Sequence, residues 1–163
     1  MKILVFSDSH ASMGFMRKCI ILLKPDCVLH LGDYYDDGDT IRQENPGIRF
    51  YQVPGNCDRY RCPPEAQQVL QPVIDGVRFF VTHGHMHHVK MGTGAFVADA
   101  KRSGADIALY GHTHQAECFC DDGMWVMNPG PCGYGGSIGV IVTKDHKIAS
   151  CYLLKESELE DQI

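Results

Sequence analysis

No stretch of the chain approaches the roughly 20 consecutive apolar residues that cross a bilayer. Basic residues are in deficit: 15 Lys and Arg stand against 20 Asp and Glu, a formal net charge of −5. That balance argues against an extended nucleic-acid surface, which needs a positive patch. It leaves a small phosphate ligand open, because a bound cation reverses the local field. Cys-x-x-Cys pairs are absent although the chain carries eight cysteines. Neither a zinc ribbon nor a secreted disulfide framework is therefore legible. Most of these cysteines read as small buried hydrophobes, Cys19 in an apolar helical run and Cys27 in an apolar strand. Linkers, repeats and low-complexity tracts are also missing. The apolar start, Met1 to Ser7, is too short for a signal-peptide core and has no small-residue cleavage site after it. It reads as a strand, and the expected location is the cytoplasm.

The 163 residues suit one domain, 1–155, followed by a polar, acidic tail, 156–163, expected to fray. Lys2 to Ser7 and Cys27 to Leu31 are apolar runs of strand length, and Ile48 to Val53 reads as a third strand. Between the first two, Phe15, Met16, Cys19, Ile20 and Leu23 recur at helical spacing, and Pro25 stops the helix. Val69 to Ile74 and Val77 to Thr82 flank Asp75-Gly76, a hairpin signal. Gly94 to Arg102 reads as a helix closed by Gly104, and Ile107 to Tyr110 as a strand. Two more hairpins follow. Glu117 to Cys120 and Trp125 to Met127 turn at Asp121-Asp122-Gly123; Ile138 to Thr143 and Ile148 to Leu154 turn within Lys144 to Lys147. Early strand–helix alternation and late hairpins predict an α/β fold with two mixed sheets packed face to face and helices outside.

Polar residues then gather at the predicted strand ends. Asp8 and His10 follow the first strand, Asp33 the second, Asn56 the third, His83 the strand Val77 to Thr82, and His112 and His114 the strand Ile107 to Tyr110. Ligands of open α/β sheets bind beyond the carboxyl ends of strands, so these side chains can share one crevice. Oxygen and nitrogen donors without thiolate suit Zn, Mn or Fe in a non-thiolate site. Seven donors exceed the needs of one tetrahedral ion and suit two ions if a carboxylate bridges them; Asp33 is the expected bridge. The glycines before Asp33, Asn56 and His112 are expected to let the backbone turn toward the metals. Each piece alone is weak, since a His at a strand end is usually a packing or surface residue. The ordered set is what carries the reading.

Asp8-Ser9-His10, Gly32-Asp33, Gly55-Asn56-Cys57-Asp58, Thr82-His83-Gly84-His85, Gly111-His112-Thr113-His114 and the turn Asn128-Pro129-Gly130 together resemble the calcineurin-like metallophosphoesterases, from about Met1 to Leu154. Size and the Gly-Asn-Cys-Asp segment look most like the small branch, the YfcE/MJ0936-like phosphodiesterases, whose fold the retromer subunit Vps29 shares. The resemblance implies a four-layer α/β/β/α sandwich of two mixed sheets. It implies one metal on Asp8, His10, Asp33 and His114 and another on Asp33, Asn56, His83 and His112. Two divalent ions are the implied cofactors, Mn first, with Ni, Zn or Fe as alternatives. Two departures stand out. Larger members have His after the Asn, their usual candidate for protonating the leaving group, where this chain has Cys57. Pro131 replaces a Ser that the small branch commonly carries, removing a hydroxyl and a backbone N–H.

The expected chemistry is hydrolysis of a phosphodiester, or secondarily a monoester, by a hydroxide formed between two metals and attacking in line at phosphorus. His85 is the first candidate for the leaving-group proton. Asp58 is a candidate for orienting a ligand or the Asn56 loop, equally a turn carboxylate. Cys57 is a catalytic candidate or a small filler. His87 and His88 are weaker candidates, expected to be exposed, and Arg59 is a candidate phosphate contact. Expected partners are a small phosphate ester and a second copy of the chain, with long nucleic acid and membrane disfavoured. Two other classes compete: a Vps29-like scaffold that binds protein partners without turnover, and a structural metal protein with no open coordination position.

Overall fold

The first strand, β1 (Lys2–Phe6), sends Ile3 and Val5 into one core and Leu4 and Phe6 into another. Extended chain alternates its side chains with a period of two, and an unbroken apolar run is what a strand covered on both faces requires. The computed structural model describes residues 1–133 and 135–162. After β1 come α1 (Met13–Leu23), β2 (Cys27–His30), α2 (Tyr35–Glu44), β3 (Arg49–Gln52), β4 (Val69–Leu70), β5 (Val73–Ile74) and β6 (Val77–Thr82). Two 3-10 turns over 85–91 lead to α3 (Gly94–Arg102) and β7 (Ile107–Leu109). The chain then runs through β8 (Glu117–Asp121), β9 (Met124–Asn128), β10 (Ser137–Lys144) and β11 (Lys147–Lys155).

Two mixed sheets result. One is ordered β11-β10-β1-β2-β3, with β1, β2 and β3 parallel and β10 and β11 antiparallel to their neighbours. The other is ordered β4-β6-β7-β9-β8, with β6, β7 and β9 parallel and β5 also paired to β6. Val5, Leu29 and Ile141 of the first sheet meet Phe79, Val81, Leu109 and Met127 of the second in the central core. On the outside of the first sheet, Phe15, Met16, Cys19 and Ile20 of α1 and Ile41 of α2 cover Leu4, Phe6 and Val28. On the outside of the second, Phe96 and Ala100 of α3 cover Phe80, Ala108 and Val126. The order helix, sheet, sheet, helix is the four-layer sandwich expected. Among the described residues no helix is long and apolar enough to cross a membrane.

Three expectations change. The strand over 69–74 is interrupted at Pro72, which has no N–H to give the ladder. Its register is nonetheless continuous, since Val69 faces Thr82, Val73 faces Arg78, and Phe79 N–H still donates to the Pro72 carbonyl at 3.0 Å. Helix α2 has no counterpart in the periodicity, because its inward face carries Asp37 and Gly38 where a hydrophobic stripe would lie. The tail expected to fray instead docks. Residues 156–162 form two 3-10 turns, and Leu159 is fully buried in the core beneath α1.

Candidate metal centre

The parallel strands β1, β2, β6 and β7 end at the same edge of the sandwich, where their loops are knitted together. Asp8 N–H donates to the Gly32 carbonyl at 2.9 Å, and Gly111 N–H to the His83 carbonyl at 3.0 Å. One group converges closely: Asp8, His10, Asp33 and His114 each offer a ligand atom, all within 4.8 Å of one another. Asp8 and Asp33 are buried, whereas the side chains of His10 and His114 are 39% and 50% exposed. Two carboxylates form the floor of this cluster and two imidazoles its open rim. His114 Nε2 lies 3.0 Å from Asp8 Oδ1, and His10 Nε2 3.8 Å from Asp33 Oδ2.

A second, looser group lies on the other side of Asp33. His83 Nδ1 is 2.8 Å from the Leu31 carbonyl, which can only accept, so Nδ1 carries a proton and Nε2 is the ring atom turned into the site. That nitrogen lies 3.1 Å from Asn56 Oδ1 and 3.5 Å from Asp33 Oδ1. These three atoms are held together by a positive centre, a proton on Nε2 or a metal ion, and a carboxylate, an amide oxygen and an imidazole are donors that suit a first-row divalent ion. The His112 ring is 5.1 Å from that of His83. Both groups share Asp33, and its two oxygens face opposite ways, Oδ2 toward His10 and Oδ1 toward His83. The residues present fit divalent metal, with Asp33 common to both groups.

Several of these side chains are aimed by unusual backbone. Asp8, His10, Asp33, His112 and His114 have φ of 52°, 43°, 58°, 67° and 58°. Left-handed conformations are costly for residues with a Cβ and persist only where the surroundings hold them. Here the holders are buried acceptors. The Asp58 carboxylate, fully buried, receives the N–H groups of Asp33 (2.9 Å), Gly55 (2.7 Å) and Tyr35 (2.9 Å). Asp37 Oδ2 receives Ser9 Oγ–H at 2.7 Å and Ala11 N–H at 2.8 Å, gripping the residues on either side of His10. Asn128 gives Nδ2–H to the Gly111 carbonyl (3.1 Å) and Thr113 Oγ1 (2.9 Å) and takes Gly130 N–H (2.9 Å), bracing the loop that bears His112 and His114. Ser9 and Asp37 had no separate sequence signal: Ser9 is hidden inside the Asp8-Ser9-His10 motif, and Asp37 looks like an ordinary acidic first turn of a helix. Of the glycines before Asp33, Asn56 and His112, only Gly32 has a positive φ (98°). Gly55 and Gly111 instead permit close approach, because a Cβ at Gly55 would collide with Asp33 and one at Gly111 with Ser7 Oγ.

The electrostatics favour ligands in their donor forms. Burial alone would raise the Asp33 pKa, but the neighbouring His83 and the Cys57 N–H donor outweigh it and hold the carboxyl below its ordinary range. Burial, with His83 and Lys90 nearby, pushes His112 down to about 4. Asp58 is thereby a positioning residue whose oxygens are occupied by backbone amides. Cys57 is exposed and gives its backbone N–H to Asp33 Oδ1 at 3.0 Å. Its thiol is pushed up by burial and by Asp33, which keeps it a thiol. His85 is half-buried, with its ring 5.4 Å from that of His83 and 6.1 Å from that of His112. Burial and His83 lower its pKa. His87, expected to be exposed, is packed edge-on against Phe80 and Phe96 with Nε2 3.3 Å from Asp99 Oδ2. It is part of the α3 interface, while His88 is exposed as expected. Arg59 is exposed and lies over the Tyr60 ring.

Known proteins resemble this chain in sequence and fold. The chain is 31% identical over 150 residues to phosphodiesterase MJ0936 of Methanocaldococcus jannaschii, covering 82% of this chain and 86% of that one. A solved structure described as a novel archaeal phosphodiesterase superposes with a TM-score of 0.68 at 28% identity, over 94% of this chain and 100% of its own. Vacuolar protein sorting 29 from Cryptosporidium parvum superposes with a TM-score of 0.70 at 17% identity, over 94% of this chain and 96% of its own, a likeness of fold alone. A profile of the calcineurin-like phosphoesterase superfamily domain matches residues 1–146, a span that takes in every candidate ligand from Asp8 to His114, and the chain belongs to that superfamily of metal-dependent phosphoesterases.

Proposed function

We propose that this chain hydrolyses small phosphodiesters at a site holding two divalent ions, Mn first among them. The carrying observation is the pair of donor groups that share Asp33: Asp8, His10, Asp33 and His114 on one side, and Asp33, Asn56 and His83 on the other, where the His112 ring lies 5.1 Å from that of His83. Two such ions, when bound, supply a water acidified to near-neutral pKa and positive charge for the phosphoryl oxygens. The residues contribute the rest. The Cys57 amide N–H supports the carboxylate form of Asp33. The Leu31 carbonyl holds His83 in the tautomer that ligation requires. Half-exposed His10 and His114 leave the rim open to a substrate. His85 is assigned the proton for the departing oxygen, since it stands beside His83 and His112 without being needed as a donor to either group. Cys57 fills the place after Asn56 as a neutral thiol. A small ester fits the acidic balance of the chain better than a polyanion does.

The test is hydrolysis of bis-p-nitrophenyl phosphate by metal-stripped protein with Mn, Ni, Zn, Fe or Mg restored singly, beside Asp33→Asn. Turnover that needs the metal and is lost in the variant supports the proposal and ranks the ions. Metal binding with no turnover of this diester or of p-nitrophenyl phosphate overturns it, and a scaffold for protein partners then becomes the better reading.

A further inference from the structure

Two of the eight cysteines face each other across the open edge of the sandwich. Cys118 lies on β8, the last strand of one sheet, and Cys151 on β11, the last strand of the other. Both side chains are half-buried and pack against the central core between the sheets. Their Sγ atoms are 3.6 Å apart, against about 2.05 Å in a disulfide. Side-chain rotation covers a gap of that size more readily than backbone movement does, and edge strands tolerate small shifts because one side of each is unpaired. Neither residue belongs to the metal centre, and no candidate ligand lies between them in the chain.

We propose that Cys118 and Cys151 are a disulfide-forming site that staples the two sheets together when a small-molecule disulfide of the glutathione class is the oxidant. Cys118 is the attacking sulfur: its neighbours Phe119 and Cys120 are exposed on an edge strand, and its Sγ lies 3.6 Å from both the sulfur and the carbonyl oxygen of Cys151. The Cys118 thiolate displaces one thiol from the oxidant, breaking its S–S bond and forming a mixed disulfide; the released thiolate takes the proton Cys118 lost. Cys151, deprotonated in turn, attacks the Cys118 sulfur, forms the intramolecular bond and expels the second small thiol, which carries off the Cys151 proton. Two protein thiols are thus oxidised by two electrons while one small disulfide becomes two thiols. The link restrains the unfolded chain and joins two sheets otherwise held at this edge by packing. It raises resistance to unfolding and leaves metal binding unchanged.

The experiment equilibrates the full chain with glutathione mixtures of increasing oxidised fraction, then unfolds it in an alkylating reagent and records the intact mass. The expected product is monomeric, carries six labels in place of eight, yields a cross-linked Cys118–Cys151 peptide, and melts higher than the reduced protein by on the order of 5 °C. Cys151→Ser removes both the link and the gain, and Cys120→Ser keeps both. Glutathione adducts at Cys57, Cys62 or Cys120, or dimers through Cys120, without the 118–151 peptide overturn the proposal. So does a link that leaves the melting temperature unchanged or lowers it.

Discussion

The Asp33 amide N–H donates to Asp58 Oδ2 at 2.9 Å, so one buried carboxylate sets the direction of another. Asp58 also takes the amides of Gly55 and Tyr35, which ties together the loops after β2 and β3. Asp58→Ala leaves three backbone donors without this acceptor in a dry place, at about 1–3 kcal/mol for each that stays unpaired. The expected outcome is a fall in unfolding free energy of roughly 3 kcal/mol or more and a metal affinity lower by on the order of 10–100-fold. Urea unfolding and calorimetric Mn titration check the two parts. An unchanged affinity would show that the loop keeps its shape without this carboxylate.

Gly55 tests close approach. A Cβ there meets the Asp33 amide nitrogen and Oδ1, both rigidly placed, whereas a Cβ at Gly47 meets nothing within 4 Å. Gly55→Ala is expected to abolish metal-dependent turnover and lower the melting temperature, and Gly47→Ala to change neither. Parallel assays on the two variants decide it; equal behaviour would refute the steric argument.

The role assigned to His85 predicts a dependence on the leaving group. His85→Ala should lower kcat by about 10²–10⁴-fold for esters of poorly acidic alcohols, and far less for p-nitrophenolate. The pH profile has a definite sign. Burial and His83 lower the His85 pKa below its ordinary 6.5, so its protonated form declines as pH rises through that lowered value. Turnover of poor leaving groups should fall with rising pH on that limb, and the limb should vanish in the variant. Equal losses for all leaving groups would remove His85 from proton transfer.

Stability should carry the signature of His30, which is fully buried. Its Nδ1 accepts Gly32 N–H at 3.3 Å, so Nε2 carries the proton and donates to Ser9 Oγ at 3.2 Å, while Ser9 donates onward to Asp37. That chain suits a neutral ring, and burial lowers the His30 pKa. Below about pH 6.5 the unfolded chain takes up a proton that the folded chain refuses, so stability is complete above 6.5 and declines as pH falls, with a limiting slope of about 1.4 kcal/mol per pH unit. Urea unfolding at a series of pH values reads the slope. His30→Gln should flatten it, whatever its effect at pH 8.

Much of the fold was legible because both faces of the central strands are covered. Ile3, Leu4, Val5 and Phe6 form an unbroken apolar run for that reason, and the alternation of their two cores follows from strand geometry. The hairpin at Asp75-Gly76 was equally plain, since both residues adopt the positive φ that a tight turn demands (48° and 77°). Helix α2 was not legible. It packs Asp37 against Ser9 and sets Gly38 against Gln52, so its buried face is polar and tightly fitted, and no apolar stripe announces it. The docking of the tail has no sequence signal because its one buried apolar residue, Leu159, sits in an otherwise charged segment whose other contacts, such as Glu156 N–H to the Gly136 carbonyl at 2.9 Å, are polar.

The donors themselves are fixed by local chain chemistry: carboxylates, imidazoles and one amide, each set just past a run that must be a strand. That follows from local chemistry, because strand propensity and ligand type are properties of single residues and their neighbours. Which donors meet is settled by how the strands and loops pack. Asp8 and His114 are far apart in the chain yet 3.0 Å apart in space, and Asp33 faces His10 with one oxygen and His83 with the other. The same packing decides that Asp58 is spent on backbone amides, that His87 packs under α3, and that Cys118 faces Cys151. Those roles depend on contacts between separate elements of the fold, which no local pattern encodes.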